Sequence, residues 1–387
     1  MKVLIVHNSY GRPSGEEMAV DHMGEMLRAQ GCEVAFLRAT TEFVRDKLWG
    51  KMQVFASGIW SPNGVRHMRE ALQRERPDVV NVHNLYPFIS PAALFECRKA
   101  GIPVVMTVHN YRLLCPTGLF MRGDSPCERC LERGDEWACI RYKCERTWTK
   151  TIAYAMRNAV ARRSGAYKLC VDRFACLTDF QRKKLIEGGF DEHKTVVIPN
   201  SIDTSNVSPQ FTGNYVAYAS RISREKGFEL LLEVARRHPE IPFRFAGAAE
   251  DRIDATGLKN VSIEGYLEGE ALHRFMKESR FIVIPSRCYE GFPMAVLESA
   301  TYGKTVIAPD HGPFPYIIGH GNHAIGRLFT PGSSDSLEEA VTALWQQPEL
   351  YASLGREALE KIQQQYATEV VAAQWMKLLN DIINKNY

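Results

Sequence analysis

No window of the 387-residue sequence reaches the ~18 uninterrupted apolar residues that a membrane-spanning helix needs, so a spanning segment is not expected. The opening "MKVLIVHNSYG" has one lysine and an apolar run too short for the h-region of a secretory signal, which places the chain by expectation in the cytoplasm. The two Asn-x-Ser sequons, at Asn206 and Asn260, then carry no meaning of their own. A net charge of +3 is too weak to argue for a nucleic-acid partner. The Gly-x-Gly-x-x-Gly of a dinucleotide-binding turn is also missing, because Gly11 and Gly15 are the only glycines behind the first apolar run. "YGKTV" contains the Gly-Lys-Thr of a phosphate-wrapping loop, but Glu298 stands where the leading glycine belongs, so that loop cannot form.

What remains is an ordinary globular composition, 45% hydrophobic and 24% charged, in a chain long enough for two domains. "KVLIVHN", "DVVNVHN" and "IPVVMTVHN" are continuous apolar runs that end on polar residues, as strands covered on both faces do. Segments of helical spacing such as "EEMAVDHMGEMLRAQG" alternate with them, which predicts an α/β fold with a largely parallel sheet. The second half repeats the theme with "NYVAYAS", "FRFAGAA", "VSIEGYL", "FIVIPS" and "TVIAPD". "VVIPNSIDTSNVSPQFTGN" has loop composition and reads as the linker. The expected division is residues 1–197, residues 198–365, and a terminal helix at 366–387 that returns to the N-terminal domain.

Ligands of open α/β sheets bind beyond the carboxyl ends of the strands. His7, Asn8, His83, His109, Arg221 and Glu290 all fall at such ends. Arg221 follows a strand and Lys226 precedes a helix opening at Gly227; a guanidinium fork and an ammonium beside helix amides suit a diphosphate, although such a pair is also common on plain surface. In "CYEGFPMAVLESATYG" the acids Glu290 and Glu298 are eight positions apart. At ~100° per residue they would sit about 80° apart even if every step were helical, so they are not a stacked pair. Pro293 suits the first helical position and leaves Glu290 on the preceding loop. Glu298, among Met294, Ala295, Val296 and Leu297, is expected to be buried and in need of hydroxyl or amide partners.

"EGFPMAVLE" resembles the paired-glutamate motif of glycosyltransferase family four, whose members are retaining enzymes of the GT-B fold. "SRISREKG" resembles that family's Arg-and-Lys diphosphate motif, "PNSID" its interdomain motif and "IEGYLEGEAL" its segment near the nucleotide base. "SYGRPSGEEMAV", "VVNVHNL" and "MTVHNYRLLCP" are similar to acceptor-side motifs of one branch, so the likeness spans nearly the whole chain. The resemblance implies two Rossmann-like doubly wound domains facing a central cleft, the second binding a nucleotide sugar. It implies that Arg221 and Lys226 neutralise the leaving diphosphate, that Glu298 accepts from ribose, and that Glu290, with the amides of Gly291 and Phe292, holds sugar hydroxyls. Tyr266 would lie near the base, His109 near the reacting sugar, and Gly15 would let the N-terminal loop approach the diphosphate. No metal or other cofactor is implied for catalysis. Pro315, where many relatives carry a glutamate, and Ser201 in "PNSID" depart from the pattern.

The expected activity is transfer of a sugar from a nucleoside-diphosphate sugar to a glycolipid or oligosaccharide acceptor in surface polysaccharide assembly. A nucleotide-sugar-binding scaffold without turnover is the competing reading. A hydrolase would need acids flanking the scissile bond, and here both belong to one element. Arg157, Arg162, Arg163, Lys168, Arg173, Arg182, Lys183 and Lys184 form a basic stretch that suits either a solvated helix face or an anionic membrane on its inner, cytoplasmic side. Ten cysteines in a cytoplasmic chain do not suggest a disulfide framework. Cys115, Cys127, Cys130, Cys139 and Cys144 crowd the insertion at 115–144; Cys115, Cys127, Cys130 and Cys144 match a loop seen in relatives and would make a tetrahedral structural zinc site, with thiol pairing and reduced cysteines as the other readings.

Overall fold

The computed structural model describes residues 1–9, 15–40, 57–205 and 207–384. Asn206, Gly11 and the rest of 10–14 in the N-terminal motif lie outside the described residues. The chain divides into two compact units. Unit 1 comprises Met1–Leu119, Glu128–Asn200 and Val371–Tyr387; unit 2 comprises Phe120–Cys127 and Ser201–Val370.

The strands of the first half are β1 (Lys2–Ser9), β2 (Glu33–Thr40), β3 (Val79–Asn84) and β4 (Val104–Val108). A short hairpin of β5 (Met121–Arg122) and β6 (Ser125–Pro126) follows, then β7 (Arg173–Cys176) and β8 (Thr195–Val197). Unit 1 holds a parallel sheet in the order β2-β1-β3-β4-β7-β8. The period of two sends Leu4 and Val6 into one apolar cluster and Val3 and Ile5 into another, so both faces of β1 are covered and its sequence reads as continuous. The second cluster is closed by the terminal helix Thr368–Ile383 through Trp375, Leu378, Leu379 and Ile382.

Unit 2 contains β9 (Tyr215–Ala219), β10 (Phe243–Ala246), β11 (Val261–Gly265), β12 (Ser279–Val283), β13 (Val306–Pro309) and β14 (Gly326–Phe329). They form a parallel sheet in the order β11-β10-β9-β12-β13-β14, a 3-2-1-4-5-6 arrangement of its own six strands. Val216 and Tyr218 face one core, Tyr215 and Ala217 the other. The strand order reverses between β9 and β12, and the crevice beyond the carboxyl ends at such a reversal is where doubly wound sheets take ligands.

Lys304 of "YGKTV" is buried and donates to the carbonyls of Gln210 and Thr212, which makes it a clamp on the chain entering unit 2. The Asn260 amide donates to the carbonyls of Ala235, His238 and Ile241, so this sequon is committed to a turn.

Candidate functional site

The loops after β9 and β12 interlock at the reversal. Gly227 has φ +68, and a Cβ there would lie 2.0 Å from the Pro285 carbonyl oxygen, so only glycine allows the first loop to lie on the second. This contact sets Lys226 beside Glu290, with Nζ 2.7 Å from Oε1 and 2.9 Å from Oε2. Ser286 Oγ donates to the same Oε1 at 2.5 Å, and the Ser286 carbonyl lies 3.0 Å from His311 Nε2. Burial pushes the Glu290 carboxyl upward, but the attraction of Lys226 and the hydrogen bonds from Lys226 and Ser286 hold it below the ordinary value. Burial works against the charge of Lys226 as well, and Glu290 outweighs it.

Arg221 is exposed and donates to Glu250 at 2.9 Å and Glu225 at 3.0 Å, while its carbonyl accepts from the Tyr218 hydroxyl at 2.5 Å. The hairpin β5-β6 adds a residue that local sequence reasoning does not reach. Asp124 accepts from Arg224 at 2.7 and 2.9 Å and from Arg287, and these partners, Arg224 first, hold its carboxyl down to about 2. The 115–144 insertion is thus divided, with Phe120–Cys127 belonging to unit 2.

Glu298 corrects an expectation. It is exposed on the helix Met294–Thr301, although surrounding protein atoms desolvate its carboxyl enough to raise its pKa. The apolar neighbours in sequence misled, because Val296, Leu297 and Ala300 face the core while Glu298 is turned outward. Tyr266 is also exposed, and Gly291 and Phe292 are half-buried beside Glu290. Pro293 stands one residue before the helix rather than at its first position.

In unit 1, His7, His83 and His109 gather at the ends of β1, β3 and β4. His83 Nδ1 lies 2.7 Å from His109 Nε2, and Glu16 Oε1 lies 3.8 Å from His7 Nδ1. Burial keeps all three neutral: it takes His7 down to about 4 and His109 to about 3, and lowers His83 well below its usual value. Gly15 opens the helix Gly15–Ala29, and a Cβ there meets nothing within 4 Å among the described residues.

The zinc expectation concerns Cys115, Cys127, Cys130 and Cys144. Cys127 belongs to unit 2 and Cys115, Cys130 and Cys144 to unit 1, and among the described residues no group of three or more His, Cys, Asp or Glu is placed to hold a metal ion. Cys139 lies near Cys144, Cys130 and Cys115, and its thiol is pushed up first by the hydrogen bond with Cys144 and then by burial. The basic stretch is likewise not one open face: Arg157 is buried, Arg162 pairs with Glu136, Arg182 with Glu192, Lys183 with Asp179, and Lys184 with Glu128 and Glu187.

Residues 13–206 match the model described as Glycosyltransferase Family 4, and residues 203–361 the model described as Glycosyl transferases group 1. The chain belongs to glycosyltransferase family 4. The fold is GT-B: a sucrose-phosphate synthase from Thermosynechococcus elongatus superposes with a TM-score of 0.73 at 14% identity, covering 99% of each chain. HepE of Anabaena, solved in complex with UDP, gives 0.68 at 16% identity over 98% of this chain and 100% of its own. In sequence, the family 4 chain is similar to an alpha-D-kanosaminyltransferase of Streptomyces kanamyceticus, 26% identical over 78% of this chain and 77% of the relative. It is also similar to an O-antigen chain mannosyltransferase C of Escherichia coli, 24% identical over 50% of this chain and 56% of that one. Among the described residues, no helix is long and apolar enough to cross a membrane.

Proposed function

We propose that this protein is a retaining glycosyltransferase that moves a sugar from a nucleoside-diphosphate sugar to a lipid-linked or oligosaccharide acceptor in surface polysaccharide biosynthesis. The observation that carries the reading is the Lys226–Glu290 pair with Arg221 at the β9/β12 reversal. The diphosphate gains negative charge as the glycosidic bond breaks, and preorganised cations there stabilise that charge where it forms. Arg221, open to solvent, would exchange Glu225 and Glu250 for phosphate oxygens, and Lys226 would share its ammonium between Glu290 and the leaving group. Glu290, kept ionised, would accept from sugar hydroxyls, and Glu298 from the ribose. With its proton suppressed by Lys226, Glu290 makes a poor general acid. Same-face attack, in which the departing phosphate takes the acceptor proton, needs none from the protein.

The nucleotide part is supported by HepE, solved with UDP and with UDP-glucose. The polysaccharide part is supported by relatives named for O-antigen and poly(ribitol-phosphate) substrates. The test is a panel of nucleotide sugars incubated with the protein and lipid-diphosphate sugar acceptors, with nucleoside diphosphate release and the anomeric configuration of the product as readouts. Release with a retained anomer is expected. Tight donor binding without turnover on any pair would support a scaffold instead.

A further inference from the structure

The helix Trp148–Ser164 is built inside out. Its buried residues are Thr151, Ala155, Arg157, Asn158 and Ala161. Trp148, Ile152 and Met156, spaced four apart and so on one stripe, are exposed by 52%, 39% and 43%. The polar side fixes this orientation. The Arg157 guanidinium lies 4.5 Å over the Tyr86 ring and 4.1 Å over the Tyr154 ring and donates to the Pro116 carbonyl at 2.7 Å. Asn158 Nδ2 donates to the Arg112 carbonyl at 2.5 Å. Rotating the helix to hide the stripe would strand a guanidinium and an amide, so the apolar residues stay outside.

The charge around the stripe points to its occupant. The helix has no Asp or Glu. At ~100° per residue Arg163 falls about 60° from Trp148, between Ile152 and Met156 in angle, so the stripe ends on a cation. Lys143, exposed just before the helix, places its Nζ 5.9 Å from the Trp148 ring. An apolar face carrying tryptophan and bordered by lysine and arginine is the pattern of a helix that lies in a lipid interface. A symmetric contact with a second copy would bring the two sets of cations together.

We propose that the helix Trp148–Ser164 docks on an anionic lipid surface, with Trp148, Ile152 and Met156 in the headgroup boundary and Lys143 and Arg163 on the lipid phosphates. The proposal deepens the lipid-linked acceptor reading and rests on it for its purpose. Vesicle binding needs neither donor nor acceptor, so each can fail without the other.

The test is flotation of the full chain with vesicles of phosphatidylcholine alone and of equal parts phosphatidylcholine and phosphatidylglycerol, at low and high salt. Binding to the anionic vesicles that weakens with salt is expected, with a roughly tenfold or greater loss of partitioning in Ile152→Glu/Met156→Glu. Ile152→Ser/Met156→Ser serves as a milder second variant, with circular dichroism as the check that each is folded. Absence of flotation overturns the proposal, as does equal partitioning of folded variants and wild type. A solution dimer that Ile152→Glu/Met156→Glu dissociates would assign the stripe to a second copy and overturn it too.

Discussion

Both carboxylate oxygens of Glu290 accept from the ammonium of Lys226, at 2.7 and 2.9 Å, across 64 residues of sequence. The pair links the two loops at the strand-order reversal, so each residue has a structural and a chemical consequence when removed. Lys226→Ala is expected to slow transfer by about 10²–10³ in kcat, the range for loss of one preorganised charge-stabilising group. Lys226→Met should also lower stability, because Glu290 is left nearly buried without its cation. The double variant Lys226→Met/Glu290→Gln should regain ~1–3 kcal/mol over the single one in denaturant melts. Equal stability of the two would mean that the pair is not coupled.

Glu298 separates binding from chemistry. It is exposed and on the outer side of its helix, so Glu298→Ala should leave the melting temperature unchanged. Donor affinity measured by calorimetry should fall about tenfold, the value of a good charged hydrogen bond. The rate at saturating donor should change much less. Unaltered affinity would remove Glu298 from the donor site.

Most of the fold was legible because parallel strands covered on both faces are unbroken apolar runs. "KVLIVHN", "IPVVMTVHN" and "NYVAYAS" become β1, β4 and β9. The short strands β7, β8 and β14 were not legible, since strands of three or four residues are too short to show a period of their own. Arg221 and Glu290 were visible as polar residues where strands end, and Lys226 as the cation before a helix. Ser286 and His311 were not, because their roles depend on which loops meet. Glu298 was misread as buried, and Arg157 as part of an open basic stretch running to Lys184. In both cases it is the neighbouring chain, and not the helix's own composition, that decides which side turns inward.

Asp124 acts at a distance of 100 residues from Arg224, whose guanidinium it holds at two points together with Arg287. Its carboxylate is half exposed, so the stabilisation is modest and sensitive to salt. Asp124→Ala is expected to lower the melting temperature by roughly 2 °C at low ionic strength and by less at high ionic strength. KM for the donor should rise, since Arg224 lies in the same turn as Lys226. A melting temperature unchanged at low salt would show that the hairpin contributes no electrostatic support to that turn.

The three buried histidines predict how stability depends on pH. Their folded pKa values lie below the unfolded value of 6.5, with His7 at about 4 and His109 at about 3. Below pH 6.5 the unfolded chain therefore binds protons that the folded chain refuses. The stability these groups contribute is complete above pH 6.5 and falls as pH drops toward 4, by at most ~1.4 kcal/mol per pH unit for each histidine kept neutral. Replacing His7 by Asn or Gln removes one titrating group, so its urea melts between pH 6.5 and 4 should show a shallower decline than wild type. Parallel declines would mean that His7 is not held neutral in the folded protein.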